Sequence, residues 1–158
     1  MILDNTLEFA DAVSVAAAAG TANIGDVIDL SVARDVGNGE PMYLVISVDT
    51  EIITGGSAGT IAFQLVSDST DTIATNGTQT VHFKSRDFVT DDAAANDAAL
   101  SAGAFPVIVA LPMEGQAYER YLAVQAVIAT TTVTAGKINA FLTHDVSKWK
   151  SYDAPFQA

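Results

Sequence analysis

Few side chains in this sequence are able to do chemistry. It holds two histidines, His82 and His144, and no cysteine. His144 is followed by Asp145, with Ser147 two residues further on. A serine nucleophile needs a histidine base, a carboxylate to orient it and donors for the oxyanion. Nothing here marks a strand-to-helix nucleophile elbow or an oxyanion hole. His82 lies in the run QTVHFK, whose alternation turns Val81 and Phe83 inward and His82 and Lys84 outward, while His144 closes a strand pattern. Asp49 and Glu51 offer two carboxylates, but period two puts both on one face of one strand, where glycoside hydrolysis needs them across a cleft. The expected catalytic set is empty, and the chain is not expected to be an enzyme.

Binding chemistry is equally sparse. Zinc sites need His, Cys or carboxylates at recognisable spacing, and no such cluster stands out, so no metal or other cofactor is expected. SDSTDT at 67–72 and TDDAAAND at 90–97 collect carboxylates without the spacing of an EF-hand loop. Asp and Ser in such runs form turns by bonding nearby backbone N–H groups. DVGNGE at 35–40 contains GxG but leads into a strand, so it is a turn and not a dinucleotide fingerprint.

The elements that must position these residues read as strands. In MYLVISVDTEI at 42–52, Met42, Leu44, Ile46, Val48 and Ile52 share one face. GTIAFQLVSD, QTVHFK, FPVIVAL, RYLAVQAVIA and GKINAFLTH follow, with VIDL at 27–30 as a shorter candidate. Gly37-Asn38-Gly39, Gly55-Gly56, Asn76-Gly77, Gly115 and Gly136 punctuate the runs, as tight turns require. Only DDAAANDAALSA at 91–102 is rich enough in alanine for a short helix, and a loop accounts for it equally well. Seven to eight short strands predict an all-β, single-domain antiparallel β-sandwich or jelly-roll with extended N- and C-terminal arms. The expected divisions are an N-terminal arm and first strand at 1–20, a body at 21–146 and an aromatic tail at 147–158.

Composition narrows the classes further. At 158 residues one domain can bury roughly 68–70% of its unfolded surface. Charged residues are 16% of the chain, below the quarter or so usual for soluble domains. The net charge of −12 argues against nucleic acid and against an anionic membrane, both of which select for Lys and Arg. No run reaches the apolar length of a membrane helix, and MILDNTLEFADAVSV, broken by Asp4, Glu8 and Asp11, does not read as a signal peptide.

Three stretches, in order, carry a resemblance: ARDVGNGEPMYLVISV, GTIAFQLVSDS and LPMEGQAYERYLAVQAVIATTTVTAGKINAFLTHDV. Together they resemble the capsid cement, or decoration, proteins of short-tailed double-stranded-DNA bacteriophages. The resemblance implies a jelly-roll or sandwich body and a small symmetric assembly, a homodimer or homotrimer. It also implies a place on the outside of an icosahedral capsid, bridging subunits of the major capsid protein, after synthesis in the bacterial host cytoplasm. Candidate interface anchors are Leu3, Leu7 and Phe9 in the N-terminal arm, Arg34 in a turn, and Trp149, Tyr152 and Phe156 in the tail. Glu119 and Arg120 read as strand caps. The alternatives are a carbohydrate-binding β-sandwich module, with Tyr43, Tyr118 and Tyr121 as its platform, or another virion component of the neck, tail or head fibre.

Overall fold

The computed structural model describes residues 5–33, 36, 40–112 and 115–146. Within them, nine strands form two antiparallel sheets. These are β1 (Glu8–Ser14), β2 (Gly20–Asp29), β3 (Tyr43–Ile53), β4 (Gly59–Asp68), β5 (Thr80–Lys84), β6 (Phe88–Thr90), β7 (Val107–Ala110), β8 (Tyr121–Ala129) and β9 (Ala135–Thr143). One sheet runs β1-β9-β3-β7 and the other β2-β8-β4-β5, with β6 also paired to β4. The protein is therefore an all-β sandwich in a single domain, as the alternation predicts.

The alternating apolar residues meet between the sheets. Leu44, Ile46, Val48 and Ile52 of β3 and Ile138, Ala140 and Leu142 of β9 face Ile61, Phe63 and Leu65 of β4 and Val124, Ala126 and Ile128 of β8 in one cluster. Each such aliphatic or aromatic side chain, fully buried, contributes about 1.5–3 kcal/mol. The second sheet is covered on its outer face as well. The segment 69–79 lies over it, and Ile73 packs on Val66 and Ala123. This explains why β4, from Ile61 to Ser67, is buried on both faces.

Four local features depart from simple alternation. EFADAVS forms β1 and pairs with β9, Glu8 opposite Phe141 and Ser14 opposite Lys137. Its ladder is interrupted where Ala12 takes φ 49° and its N–H donates to Asn139 Oδ1 at 2.7 Å. VIDL is the end of the longer β2, whose register shifts between Ile24 and Ile28. Gly25 sits in that shift with φ 67°, and a Cβ there would stand 1.9 Å from the Phe9 carbonyl oxygen. Only glycine lets β2 come this close to β1.

A bulge in β5 is the third departure. The register shifts so that Phe83 opposes Leu65 while Val81 opposes Val66. Phe83 then packs against the core, and Val81 turns outward, 43% exposed, against the expectation that both point inward. One extra residue reverses the face of everything beyond it. The fourth is the stretch 91–102, a loop with a single 3-10 turn at Ala98–Leu100. Asp97 caps this turn by accepting from Ala99 N at 3.0 Å.

Candidate functional site

The densest polar constellation joins β4, β5 and the start of β8. Ser67 Oγ and His82 Nε2 share a hydrogen bond of 2.7 Å, and Glu119 N donates to the same Ser67 oxygen at 3.1 Å. Thr80 Oγ1 donates to Glu119 Oε1 at 2.7 Å. The His82 ring stacks on Tyr118 at 3.9 Å, and Tyr118 donates its hydroxyl to Pro112 O at 2.9 Å. Burial pushes the His82 pKa below its ordinary value, against the opposing pull of the Glu119 carboxylate. Ser67 Oγ thus accepts from the Glu119 N–H and shares a second hydrogen bond with the His82 ring.

This serine, histidine and glutamate set is one that sequence reasoning missed. Its members lie 15 and 52 residues from Ser67, and the bulge at His82 brings the ring beside Ser67. A nucleophile must be reachable by its substrate. Ser67 is wholly buried, its hydroxyl enclosed by β5 and the 118–119 backbone. The arrangement ties the edge strand β5 to β8 and offers no approach to an acyl group.

A GxSxG spacing also occurs, in GGSAG at 55–59, and sequence reasoning passed over it. It spans the turn from β3 to β4, strand to strand, where an elbow would lead into a helix. Gly55 and Gly56 supply the positive φ values of that turn. Thr54 Oγ1 donates to the Ser57 carbonyl, and the segment is a hairpin connection.

A second network lies beneath the 69–79 segment. Gln125, fully buried, accepts from Gln64 Nε2 at 2.7 Å and Gln79 Nε2 at 3.2 Å. Its own amide donates to Asn23 Oδ1 at 2.7 Å and Ala74 O at 2.8 Å. Asn23 in turn donates to Ile73 O at 3.0 Å. All four hydrogen-bonding positions of the Gln125 amide are filled, so this network holds the covering loop and leaves no vacancy for a ligand.

The acidic runs behave as turns. Asp68 accepts from Ala74 N at 3.1 Å and Thr70 N at 3.3 Å. Burial raises its pKa, but these backbone donors outweigh that effect and the net shift is downward. Asp92 accepts from Ala94 N at 2.9 Å. Asp49 accepts from Thr50 Oγ1, and Glu51 is touched by Asn96 Nδ2. Among the described residues, no three His, Asp or Glu side chains converge as a metal site would need.

Among the described residues, two grooves lie along the sheets' edge strands. Between β1 and β2 lies one of about 520 Å³, lined by Ala10, Val13, Val27 and Ile28 and by the carboxylates Glu8, Asp11, Asp26 and Asp29. Between β7 and the β5–β6 edge lies another of about 380 Å³, lined by Phe83, Phe88, Pro106, Val107, Ile108 and Val109, with Lys84 and Arg86. Arg86 lies 4.2 Å over the Phe88 ring and pairs with Asp97 at 2.7 Å. Ile108 of β7, which lines this second groove, is exposed.

The sequence-predicted positions divide sharply. Phe9 is fully buried in the domain's own core and Leu7 packs against it, so neither stands out as an exposed arm anchor. The reason is the pairing of β1 with β9, which turns Phe9 between the sheets. Leu3, Arg34, Trp149, Tyr152 and Phe156 lie outside the described residues. Arg120 grips Asp29 through two bonds of 2.8 and 2.7 Å, joining β2 to the start of β8, and rests 4.8 Å over Tyr121. The side-chain bond from Arg120, then the Ser31 backbone, bring the Asp29 pKa down to about 2. His144 donates from Nδ1 to Pro41 O at 3.1 Å, a structural bond between two sheet ends. Tyr118 is buried against His82, while Tyr43 and Tyr121 lie in different sheets, so the three do not form one platform.

No helix among the described residues is long and apolar enough to cross a membrane. No curated protein matches the chain. The Bbp16 family profile matches residues 9–142, from Phe9 in β1 to Leu142 in β9. The protein is thus phage-related, and the chain belongs to the Bbp16 family.

Proposed function

We propose that the protein is a capsid cement protein, a non-enzymatic virion component that binds the outer face of an icosahedral shell and bridges subunits of the major capsid protein. Membership of a phage-related family across the whole sandwich carries this reading. The physical character of the domain supports it. Its polar constellations are closed structural networks, and its openings are shallow grooves along sheet edges. A net charge of −12 keeps such a protein off packaged DNA and suits basic patches on a shell surface.

A decoration protein acts by number. Each copy that contacts two capsid subunits makes its second contact intramolecular, and linked sites bind far more tightly than either alone. Interface buried on the outside then opposes separation of subunits under outward pressure from the genome. The surface suited to the shell is the β7 side, where Ile108 is exposed on the lining of the groove and β7 pairs only with β3 among the described strands.

The test mixes purified protein with undecorated capsids of its phage and images the particles. Density repeating on the icosahedral lattice is expected, with retention after heating that empties bare shells. Binding confined to a tail, neck or fibre, or none to capsids, overturns the reading. Binding to glycans in place of capsids would favour a carbohydrate module.

A further inference from the structure

We infer that the groove between β1 and β2 is the docking site of the protein's own C-terminal segment, residues 147–158, held through Lys148, Trp149 and Lys150. The groove and the segment are chemically opposite. Every charged residue lining the groove is acidic, and Glu8, Asp11 and Asp26 make no ion pair among the described residues, while Asp29 is held by Arg120. Among these carboxylates the lining also carries apolar side chains, Val13 from β1 and Val27 from β2. The segment SKWKSYDAPFQA carries two of the chain's seven basic residues, on either side of its single tryptophan. Lys148 and Lys150 against Asp153 leave it net positive in a chain of net charge −12.

Topology brings the two together. β9 runs antiparallel to β1 with Phe141 opposite Glu8, so the residues following Thr143 leave the sheet beside the Asn5–Leu7 turn. Asn5 and Thr6 line one end of the same groove. From Val146, twelve residues reach at most about 40 Å when extended, and the seven residues of β1 span only about 23 Å. The segment can therefore run the length of the groove without strain. Tethering next to the site raises its effective concentration over that of any free peptide. An indole flanked by two ammonium groups matches a groove lined by valines and carboxylates together.

Trp149 is the only tryptophan, so fluorescence excited selectively at tryptophan reports this segment alone. In the isolated full-length protein, blue-shifted emission and weak acrylamide quenching are expected. Both should revert towards the unfolded-chain values in molar salt, in the double variant Glu8→Lys with Asp26→Lys, and in Lys148→Glu with Lys150→Glu. Combining the two charge reversals should restore the shielding. Trp149 as quenchable in the wild type as in the unfolded chain overturns the inference. So does shielding indifferent to groove charge, which would place the indole elsewhere. Shielding that grows with protein concentration would make the occupant the tail of a second copy and also overturn it. The tail variants test the idea even if the groove variants fold poorly, and no capsid is needed, so the outcome is independent of the cement reading.

Discussion

At the scale of single residues, the most consequential polar group is Gln125. Its buried amide satisfies Gln64, Gln79, Asn23 and the Ala74 carbonyl at once. Leucine at this position would keep the volume and strand several buried donors and acceptors. We expect Gln125→Leu to cost at least about 2 kcal/mol, by the usual penalty for unsatisfied buried groups. Faster hydrogen exchange in 69–79 would accompany it, and unchanged urea midpoints would refute this. His82 provides a pH test. Its pKa is lowered in the fold from 6.5, chiefly by burial, so the unfolded chain takes up this proton first. Stability should be flat above pH 6.5 and fall as pH drops from 6.5 towards the folded-state value. Comparing urea midpoints over that range, the wild type should lose more stability than His82→Asn.

At the scale of elements, β1 is the decisive strand. EFADAVS reads as an arm because its acids interrupt the apolar pattern, and the bulge at Ala12 spoils any simple period. Pairing with β9 nonetheless buries Phe9 completely. Phe9→Ala should cost about 3–5 kcal/mol, the range for emptying a core phenylalanine, as a lowered thermal midpoint. Deleting residues 1–12 should leave the domain largely unfolded by circular dichroism, where an arm's removal would leave it intact. β5 teaches the complementary lesson. Its strand character is plain in QTVHFK, but the bulge that exposes Val81 and buries Ser67 against His82 is set by pairing with β4. No periodicity in five residues specifies where an extra residue is accommodated.

At the scale of the whole molecule, the proposed capsid contact is a matter of surfaces. The β7 side presents Ile108, 37% exposed, beside a groove rimmed by Lys84 and Arg86. Ile108→Glu should leave the thermal midpoint nearly unchanged, as exposed substitutions do within about 0.5 kcal/mol, while reducing capsid decoration in co-sedimentation. Full decoration by this variant would exclude β7 as the shell-facing edge.

The sandwich architecture is legible in the amino-acid sequence, because apolar residues recur at every second position in 42–52, 59–68, 120–129 and 136–144, a property of neighbours along the chain. Contacts between distant residues are not. The Ser67, His82 and Glu119 cluster, the Gln125 network and the Gly25 approach to Phe9 each join separate strands. They depend on register and bulges, which are decided by how whole strands share backbone hydrogen bonds and core volume. Alternation specifies which residues seek the interior, and only the folded sandwich decides which of them meet and which edges stay open to a partner.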